Sequence, residues 1–337
     1  MTAEPAFDPA LVPVLRAFDV EPVAIALVPS GQVNQHWRIE TGDGDFILRR
    51  YSQFRKPAAI AFEHAALEHA ATRGWPVATA RPSPAGDAVV SYAGGLFTLF
   101  PALRGEPRGN TTRAHQRIKG RLLARFHRDM AAFALDGQRE GFGRLWELDP
   151  VVQAAGAASF NDLLARFGHE HSALAAGVRR QRYRNLRELA RLGYGDLSLG
   201  LVHGDFQREN LLFSRGEFSG LLDFDSIRLD APVADLAASA WLDCLDPSGD
   251  RIDPAAAGAF VEGYAAARPL PDYERRMLPA LVRAQMLWFV AFRLMQWLAD
   301  RSPAPVQSIA RTVNRRLPAL DGVTPALERA LVPTPAP

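Results

Sequence analysis

Short runs rich in β-branched and aromatic residues dominate the chain before residue 103, which is the pattern of β-strands. The runs are VAIALV (23–28), HWRIE (36–40), FILRRY (46–51), AVVSY (88–92) and LFTLF (96–100). The TGDGD segment (41–45) has the Gly and Asp residues of a tight turn and separates the second run from the third. We therefore predict an antiparallel sheet in the first third of the chain.

One helix interrupts these strands, and helical patterns dominate after residue 103. In PAAIAFEHAALEHAATRG (57–74) the apolar residues recur at helical spacing, Pro57 suits the first helical position and Gly74 suits the end. Further helices are predicted at RIKGRLLARFHRDMAAF (117–133), ASFNDLLARF (158–167) and QRYRNLRELARL (181–192). The sequence therefore predicts two domains, at residues 20–102 and 103–325.

Length and charge limit the class of protein. At 337 residues the chain exceeds the roughly 250–300 residues at which a single core stops growing, which favours two domains. Its 39 Lys and Arg residues against 37 Asp and Glu residues give a net charge of +2, without a long run of either sign. We therefore expect no nucleic-acid partner and no membrane partner. The oligomeric state stays open.

Three features favour a cytoplasmic location. Cys244 is the only cysteine, which fits a reducing compartment. The first residues, MTAEPAFDPALVPVL, contain no positively charged leader ahead of an apolar core. The apolar stretch LWFVAFRLMQWLA (287–299) is too short to cross a membrane and contains Arg293, so we predict a buried helix there.

The densest group of chemically useful residues lies in LVHGDFQRENLLF (201–213). Asp205 is followed five positions later by Asn210, which matches the D-x-x-x-x-N of a kinase catalytic loop. In such a loop the aspartate accepts the proton of the attacking hydroxyl and the asparagine binds Mg²⁺. The spacing therefore indicates phosphoryl transfer.

A second metal ligand is available at LLDFD (221–225), where Asp223 follows an apolar, strand-like run. The turn SRGEFSG (214–220) lies between the two ligands. A hairpin with this turn would place Asn210 and Asp223 at its open end, facing one metal ion. A lone His-Gly-Asp is commonly only a turn, and a lone Asp-Phe-Asp can be a strand that ends at a helix cap. Order and spacing together favour the catalytic interpretation.

At this point the chain resembles the aminoglycoside phosphotransferase and choline kinase superfamily, which shares the protein-kinase fold. Its H-G-D-x-x-x-x-N motif is matched by His203, Gly204, Asp205 and Asn210, and the first aspartate of its I-D-F-D/E segment by Asp223. The resemblance implies an α+β, two-lobed, protein-kinase-like fold with a small antiparallel-sheet N-lobe and a larger, mainly helical C-lobe.

The resemblance also assigns roles in the catalytic lobe. Asp205 and His203 form the catalytic pair, in which Asp205 accepts the proton and His203 holds the loop in shape. Asn210 and Asp223 hold Mg²⁺. Asp235, in APVADLA, resembles the buried aspartate that braces the catalytic loop in this family.

The N-terminal lobe should bind ATP. The loop PSGQVNQHW (29–37) resembles the family's short phosphate-binding loop, with Ser30, Gly31 and Asn34 at the matched positions. FILRR carries Arg49 where many relatives have a lysine that pairs with phosphates.

Two further residues concern this cation. Arg50 points to the opposite face of the same strand, so one of the two arginines faces solvent. Glu63 resembles the helix glutamate that orients the cation, with Glu68 as the alternative.

The acceptor is inferred from the segment 260–294, which resembles the homoserine-kinase branch, although HGDFQREN departs from that branch's H-A-D-x-x-x-D-N. A homoserine-like amino acid or amino alcohol is the leading acceptor, and Arg283 or Arg293 would then bind its carboxylate. An aminoglycoside would instead need the acidic loop LDCLDPSGD (242–250). Choline or ethanolamine would need an aromatic box from Trp241, Tyr264, Trp288, Phe289 and Trp297.

Two other classes remain as alternatives. A protein Ser/Thr kinase of the same fold would need a longer activation segment than the nine residues 226–234. A non-catalytic nucleotide-binding module would not need Asp205. We therefore predict an enzyme that uses ATP and Mg²⁺ to phosphorylate a hydroxyl of a small molecule.

Overall fold

The computed structural model describes residues 9–29, 33–108, 112–134 and 137–331. These residues form two compact units. The first takes the described residues as far as Glu106, together with Leu212–Leu222, and the second takes Pro107–Leu211 and the residues from Asp223 onward. The sequence placed a single boundary after residue 102, and did not anticipate that the chain returns to the first unit at Leu212.

The first unit contains a five-stranded antiparallel sheet with the order β1-β2-β3-β5-β4. The strands are β1 Ala24–Val28, β2 Gln35–Thr41, β3 Gly44–Arg50, β4 Val90–Tyr92 and β5 Gly95–Pro101. All five predicted runs are therefore strands. The helix α2, Pro57–Thr72, lies between β3 and β4 in the chain, and Gly74 just beyond it has the left-handed φ of 74° that ends many helices.

Alternating residues of the sheet form its core. Ile25, Ile39, Leu48 and Leu99 are each fully buried on neighbouring strands. A short helix, α1 Val12–Ala17, packs against the same cluster. The sequence did not predict this helix because six residues are too few to show a helical period.

A hairpin follows the catalytic motif in the chain. Its strands are β8 Leu211–Ser214 and β9 Glu217–Leu221, and the short strand β6 Glu106–Pro107 completes a three-stranded sheet in the order β6-β8-β9. Arg215 and Gly216 form the turn, both with positive φ. The predicted hairpin between Asn210 and Asp223 is therefore present.

The second unit is mainly helical. Its helices are α3 Arg113–Asp129, α4 Asp149–Gln153, α5 Phe160–Glu170, α6 Ser172–Arg191, α7 Pro232–Asp243, α8 Pro254–Ala265, α9 Asp272–Asp300, α10 Pro303–Arg311 and α11 Leu317–Leu331. A π-helical turn, Thr312–Arg316, joins α10 to α11. Two short antiparallel strands, β7 Gly200–Val202 and β10 Arg228–Asp230, flank the catalytic motif.

Helices α3 and α8 approach each other closely at a pair of glycines. A Cβ on Gly120 would lie 2.1 Å from the carbonyl oxygen of Phe260, and a Cβ on Gly263 would lie 2.2 Å from that of Arg117. Neither position accepts a side chain, so this contact fixes the spacing of the two helices.

Helix α9 is longer than the sequence indicated. With 29 residues, it is the one helix in the described part of the chain that is long and apolar enough to cross a membrane. The prediction that this region is too short was therefore wrong, because the helix begins well before the apolar stretch. Of its most apolar 18-residue window, 78% is buried inside the protein, as in the core helix of a folded domain.

Candidate active site

The catalytic motif begins where β7 ends. Gly204 has a φ of 77°, and a Cβ there would lie 2.4 Å from the carbonyl oxygen of Ser226. Only glycine fits this turn, because a side chain would be both strained and blocked. The turn leaves the next residue, Asp205, half-buried at the end of the strand.

Two amide side chains hold the Asp205 carboxylate. Asn210 Nδ2 donates to Asp205 Oδ2 at 2.8 Å, and Gln207 Nε2 donates to both carboxylate oxygens at 3.0 and 3.1 Å. Asn210 Nδ2 also donates to the Asp205 carbonyl at 2.8 Å. Among the described residues no donor reaches Asn210 Oδ1, so this oxygen is available to a ligand. The motif did not indicate Gln207, whose position is variable in D-x-x-x-x-N.

Asp223 follows the second strand of the hairpin in a left-handed conformation, with φ 58° and ψ 72°. Non-glycine residues rarely adopt this conformation, and such residues cluster at functional sites. Its Oδ1 accepts a hydrogen bond from the Asp225 amide at 3.3 Å. The Asp223 carboxylate at the end of the hairpin is close enough to Asp205 for the two charges to interact.

The two carboxylates influence each other. Burial raises the pKa of Asp205 well above its ordinary value, and the negative charge of Asp223 raises it further. Hydrogen bonds from Asn210 and Gln207 act in the opposite direction. No ion pair to Asp205 or Asp223 is formed within the described ranges, so their negative charges are not neutralised by a protein cation.

This donor set fits a divalent cation. Asn210 Oδ1 and the Asp223 carboxylate are hard oxygen ligands, which Mg²⁺ and Ca²⁺ prefer. The described residues contain no group of three or more His, Cys, Asp or Glu side chains able to hold a metal. A kinase-type magnesium site needs only one or two protein oxygens, because the substrate phosphates and water supply the rest.

Asp235 of α7 holds the start of the loop that carries Asp205. It is fully buried, and its carboxylate accepts the amides of His203 at 2.8 Å and Gly204 at 2.9 Å. Burial alone would raise the pKa of Asp235, but the hydrogen bond from His127 and nearby positive charge, including that of Arg228, outweigh burial and lower the pKa. An ionised Asp235 accepts both amides, as expected for the brace that the family resemblance implies.

His203 is enclosed by aromatic rings. Its ring centroid lies 5.7, 5.6 and 5.0 Å from those of Phe126, Phe206 and Phe224. The side chain is fully buried, and its Nδ1 accepts the Asp205 amide at 3.3 Å. This position favours a role in shaping the loop over direct contact with a substrate.

A second residue of α7, Asp243, holds the same loop at Arg208. Asp243 Oδ2 accepts the amide of Arg208 at 2.7 Å and pairs with Lys119 Nζ at 2.5 Å. The sequence did not indicate this pair, because its members are separated by 124 residues and lie in separate helices.

In the first unit, Arg49 and Glu63 form a buried ion pair. Arg49 Nη1 lies 2.6 Å from Glu63 Oε1, and Glu63 is fully buried. Arg49 Nε donates to His36 Nε2 at 3.0 Å. Arg50 and the alternative glutamate, Glu68, are exposed. Arg49 and Glu63 are therefore the pair that the structure brings together.

Only part of the predicted phosphate-binding loop lies within the described residues. Ser30 and Gly31 lie outside the described residues. Asn34 is buried, and its Oδ1 accepts the amide of Ser52 at 3.0 Å. This bond ties the end of the loop to the residues that follow β3.

Comparison with known proteins places this site in a family. The sequence model of the phosphotransferase enzyme family matches residues 24–279. The chain is 30% identical over 315 residues to the homoserine kinase of Phenylobacterium zucineum (strain HLK1), covering 89% of this chain and 88% of that protein. It is 28% identical over 277 residues to the homoserine kinase of Polaromonas naphthalenivorans (strain CJ2), covering 81% and 82%.

The chain belongs to the phosphotransferase enzyme family. It is a phosphotransferase that acts on a hydroxyl of a small molecule.

Solved structures show that the phosphotransferase has the fold expected for this family. The amicoumacin kinase hAmiN, in complex with AMP-PNP, Ca²⁺ and Ami, aligns with a TM-score of 0.69 at 16% identity, over 94% of both chains. A microcompartment-associated aminopropanol kinase aligns with a TM-score of 0.68 at 21% identity, over 95% of this chain and 98% of that one. The predicted α+β, kinase-like fold is therefore confirmed.

The buried pair in the first unit of the phosphotransferase gives a testable prediction. Arg49→Met leaves the Glu63 carboxylate buried without this partner, so the free energy of unfolding should fall by about 3–5 kcal/mol. The matched control is Arg50→Met, an exposed neighbour that should change stability by about 0.5 kcal/mol or less. Urea denaturation of both variants measures the difference. Equal losses of unfolding free energy in the two variants would show that the Arg49–Glu63 pair stabilises the protein no more than an exposed arginine does.

Proposed function

We propose that this phosphotransferase transfers the γ-phosphoryl group of ATP, with Mg²⁺, to the hydroxyl of a homoserine-like amino acid or amino alcohol. The observation that carries this proposal is the arrangement of Asp205, Asn210 and Asp223. A half-buried carboxylate with a raised pKa lies beside an available amide oxygen and a second carboxylate. That combination suits a proton acceptor next to a metal site.

Each protein group has a defined task in the proposed reaction. Asp205, held by the amides of Asn210 and Gln207, orients the acceptor hydroxyl and takes its proton at a carboxylate oxygen. Asn210 Oδ1 and Asp223 would hold Mg²⁺, which neutralises charge on the phosphate oxygens when it is bound. Arg49, oriented by Glu63, supplies a fixed cation for phosphates. Positioning and charge neutralisation would provide most of the rate enhancement.

ATP and a divalent metal are supported from two directions. The relatives that align over most of the chain are named as kinases. The hAmiN structure contains AMP-PNP and Ca²⁺, a nucleotide and a divalent cation. We propose Mg²⁺ as the ion for this protein because its oxygen ligands and phosphate partner suit that ion.

Homoserine is the leading acceptor because the two relatives described above, which align over more than 80% of this chain, are homoserine kinases. Its carboxylate requires a cation. Arg283 cannot serve, because it is buried and donates to Asp321 at 2.7 Å and to Gln181 at 3.1 Å. Arg293 is half-buried on α9, and burial followed by the nearby charge of Arg316 lowers its pKa. Its Nη1 donates to Gln296 Oε1 at 2.6 Å, and of the two arginines we propose Arg293 for the acceptor carboxylate because it is the less buried.

The carboxylates that an aminoglycoside acceptor would need are already paired with cations of the protein. In the loop 242–250, Asp243 pairs with Lys119 at 2.5 Å and Asp246 with Arg251 at 3.4 Å. Asp250 accepts Arg311 Nε at 2.5 Å. These carboxylates bind cations of the protein itself and are not free for the amino groups of a substrate.

Three of the five aromatic rings considered for choline binding are buried in the protein core. Trp241, Tyr264 and Trp297 are buried in the protein, whereas Trp288 and Phe289 are half-buried. Two half-buried rings do not enclose a quaternary amine.

The segment 226–234 is too short for the activation segment of a protein kinase. Strand β10, Arg228–Asp230, lies within it and pairs with β7, and α7 begins at Pro232. The few residues outside these two elements are too short a stretch to form a loop that binds a peptide substrate.

A screen of acceptors tests the proposal. ADP release is measured with ATP and Mg²⁺ over homoserine, ethanolamine, choline, an aminoglycoside and a generic protein substrate. We expect homoserine to give the highest kcat/KM and the protein substrate to give none. A higher kcat/KM for choline or the aminoglycoside would overturn the amino-acid assignment, and activity on protein alone would overturn the small-molecule proposal.

The role of Arg293 gives a second prediction. Arg293→Gln removes a charged hydrogen-bond donor worth about 1.5–3 kcal/mol, so the KM for homoserine should rise roughly 10-fold to 100-fold. The KM for ATP should not change. Ethanolamine, which has no carboxylate, is the matched control substrate, and its KM should also stay the same. A parallel rise for both acceptors would show that Arg293 supports the helix instead of binding the carboxylate.

A further inference from the structure

A chain of buried hydrogen bonds leads to the catalytic loop from the end of α8. Arg268 Nη1 donates to the Tyr264 hydroxyl at 2.9 Å. That hydroxyl lies 2.8 Å from His127 Nδ1, and His127 Nε2 lies 3.0 Å from Asp235 Oδ2. Asp235 in turn accepts the amides of the loop. We call these four residues the Arg268–Asp235 chain.

The middle of this chain is sealed from solvent. Tyr264 and Asp235 are fully buried, and the His127 side chain has no exposed surface. Buried polar groups must satisfy their hydrogen bonds within the protein, so the direction of each bond matters. The bonds are set by the donors and acceptors that these side chains possess.

The direction of the bonds follows from the arginine. A guanidinium has only donors, so the Tyr264 oxygen accepts from Arg268 and its own hydrogen is free to donate to His127 Nδ1. An Nδ1 that accepts leaves the ring proton on Nε2. His127 Nε2–H then donates to the ionised Asp235, which can only accept. The opposite tautomer would place a lone pair against the carboxylate.

The helix contact described above makes this geometry possible. His127 lies on α3 and Tyr264 on α8. Gly120 and Gly263 allow the two backbones to approach closely, and Tyr264 immediately follows the second of these glycines. The close approach therefore brings the hydroxyl within reach of the imidazole.

We propose that Tyr264 and Arg268 are positioning residues for phosphoryl transfer. Together they fix His127 as the neutral Nε2–H tautomer, which orients Asp235 towards the amides of His203 and Gly204. The loop that carries Asp205 is thereby held in its reactive geometry. The kinetic part of this inference rests on the proposed role of Asp205, whereas the tautomer part does not.

Nitrogen NMR of the imidazole side chains tests the first step. In ¹⁵N-histidine-labelled wild-type protein, we expect His127 to show a protonated Nε2 and an unprotonated Nδ1. The protein has eight histidines, so the His127→Asn variant identifies the signal. Tyr264→Phe removes the hydroxyl and keeps the ring, and should replace the single tautomer with a mixture or with the protonated ring. An unchanged tautomer would overturn the proposal.

Kinetics test the second step. Because small displacements of reacting groups are costly, Tyr264→Phe should lower kcat roughly 10-fold to 100-fold and leave the KM for ATP unchanged. Arg268→Met should act in the same direction, and Arg268→Lys, which keeps a donor without an acceptor, should recover part of the lost kcat. An unchanged kcat in Tyr264→Phe, or no difference between the lysine and methionine variants, would contradict the proposal.

The matched control is Tyr194→Phe. Tyr194 is also fully buried in the second unit, and its hydroxyl donates to Asp230 at 2.5 Å. Its loss should lower the melting temperature at least as much as Tyr264→Phe and change kcat by about twofold or less. If the two variants lost kcat equally, general destabilisation would explain the effect and the proposal would fail.

The two proposals fail in different ways. If homoserine is not the acceptor, the same kcat ratios are measured with the acceptor that the screen identifies. If Asp205→Asn keeps full activity, the proposed function is wrong while the NMR result for His127 still stands. If the tautomer is unchanged while Asp205→Asn is inactive, only the inference about Tyr264 and Arg268 is wrong.

Discussion

Asp205→Asn is expected to lower kcat by about 10²-fold to 10⁴-fold while the KM for ATP stays within about twofold. Asparagine keeps the size of the side chain, and its one amide oxygen, in the place of Oδ2, can still accept from both Asn210 and Gln207. Its amide nitrogen takes the place of Oδ1 and loses the other bond from Gln207. It cannot take the proton of an acceptor hydroxyl. Single-turnover assays measure the chemical step directly, and an unchanged rate would remove Asp205 from the proposed role.

The same substitution should raise stability at neutral pH when no divalent metal is added. Burial and then Asp223 raise the pKa of Asp205, so the folded protein holds this proton more tightly than the unfolded chain does. Wild-type protein therefore loses stability as pH rises from the unfolded pKa of about 3.9 through the higher folded pKa. Asp205→Asn has no such group and does not share this loss.

Melting temperatures from pH 4 upward, measured for both proteins, test this pH dependence. The advantage of the variant should grow as pH rises and disappear towards pH 4, because both states of the wild type then become protonated. Asp43→Asn, in an exposed turn of the first unit, is the control and should keep wild-type kcat. A variant whose advantage shrinks with rising pH would contradict the charge conflict between Asp205 and Asp223.

Asp223→Gly is expected to weaken magnesium-dependent ATP binding and to lower kcat by about 10²-fold or more. Glycine removes the carboxylate and adopts the φ of 58° without strain. Asp223→Ala removes the same group but adds a backbone penalty of roughly 1–2 kcal/mol. Comparison of the two variants therefore separates the metal effect from the conformational one.

Titration calorimetry with ATP, with and without Mg²⁺, measures the binding effect. Both Asp223 variants should lose most of the affinity gained from Mg²⁺. Both also lose the hydrogen bond from the Asp225 amide, so the alanine variant should be the less stable of the two because only alanine adds the backbone penalty. Normal binding of ATP with Mg²⁺ in Asp223→Gly would show that this carboxylate is not a metal ligand.

The strands and the catalytic loop could be predicted because their signals are local. A run of five or six residues of strand-forming type marks each strand of the sheet, and D-x-x-x-x-N fixes Asn210 relative to Asp205 within one loop. The helix α1 has no such signal, because six residues do not complete two helical turns. The sequence also gave no signal that Leu212–Leu222 belongs to the first unit, because local periodicity does not indicate which distant segments pair.

The supports of the loop could not be predicted for the same reason. The partners His127 and Asp235 are 108 residues apart, and His127 and Tyr264 are 137 residues apart. In the sequence, His127 is an ordinary residue of an amphipathic helix and Tyr264 an ordinary core aromatic. Their connection depends on two helices that meet at glycines, which only tertiary structure reveals.

Phosphorus NMR of a reaction with ATP, Mg²⁺ and homoserine tests the central claim most directly. We expect the γ-phosphate signal of ATP to be replaced by signals of ADP and of a phosphate monoester on the homoserine hydroxyl. With Asp205→Asn, the monoester should not form over the same period. Wild-type protein that forms no monoester with homoserine or any other small hydroxyl compound, or Asp205→Asn that forms it at the wild-type rate, would contradict the account.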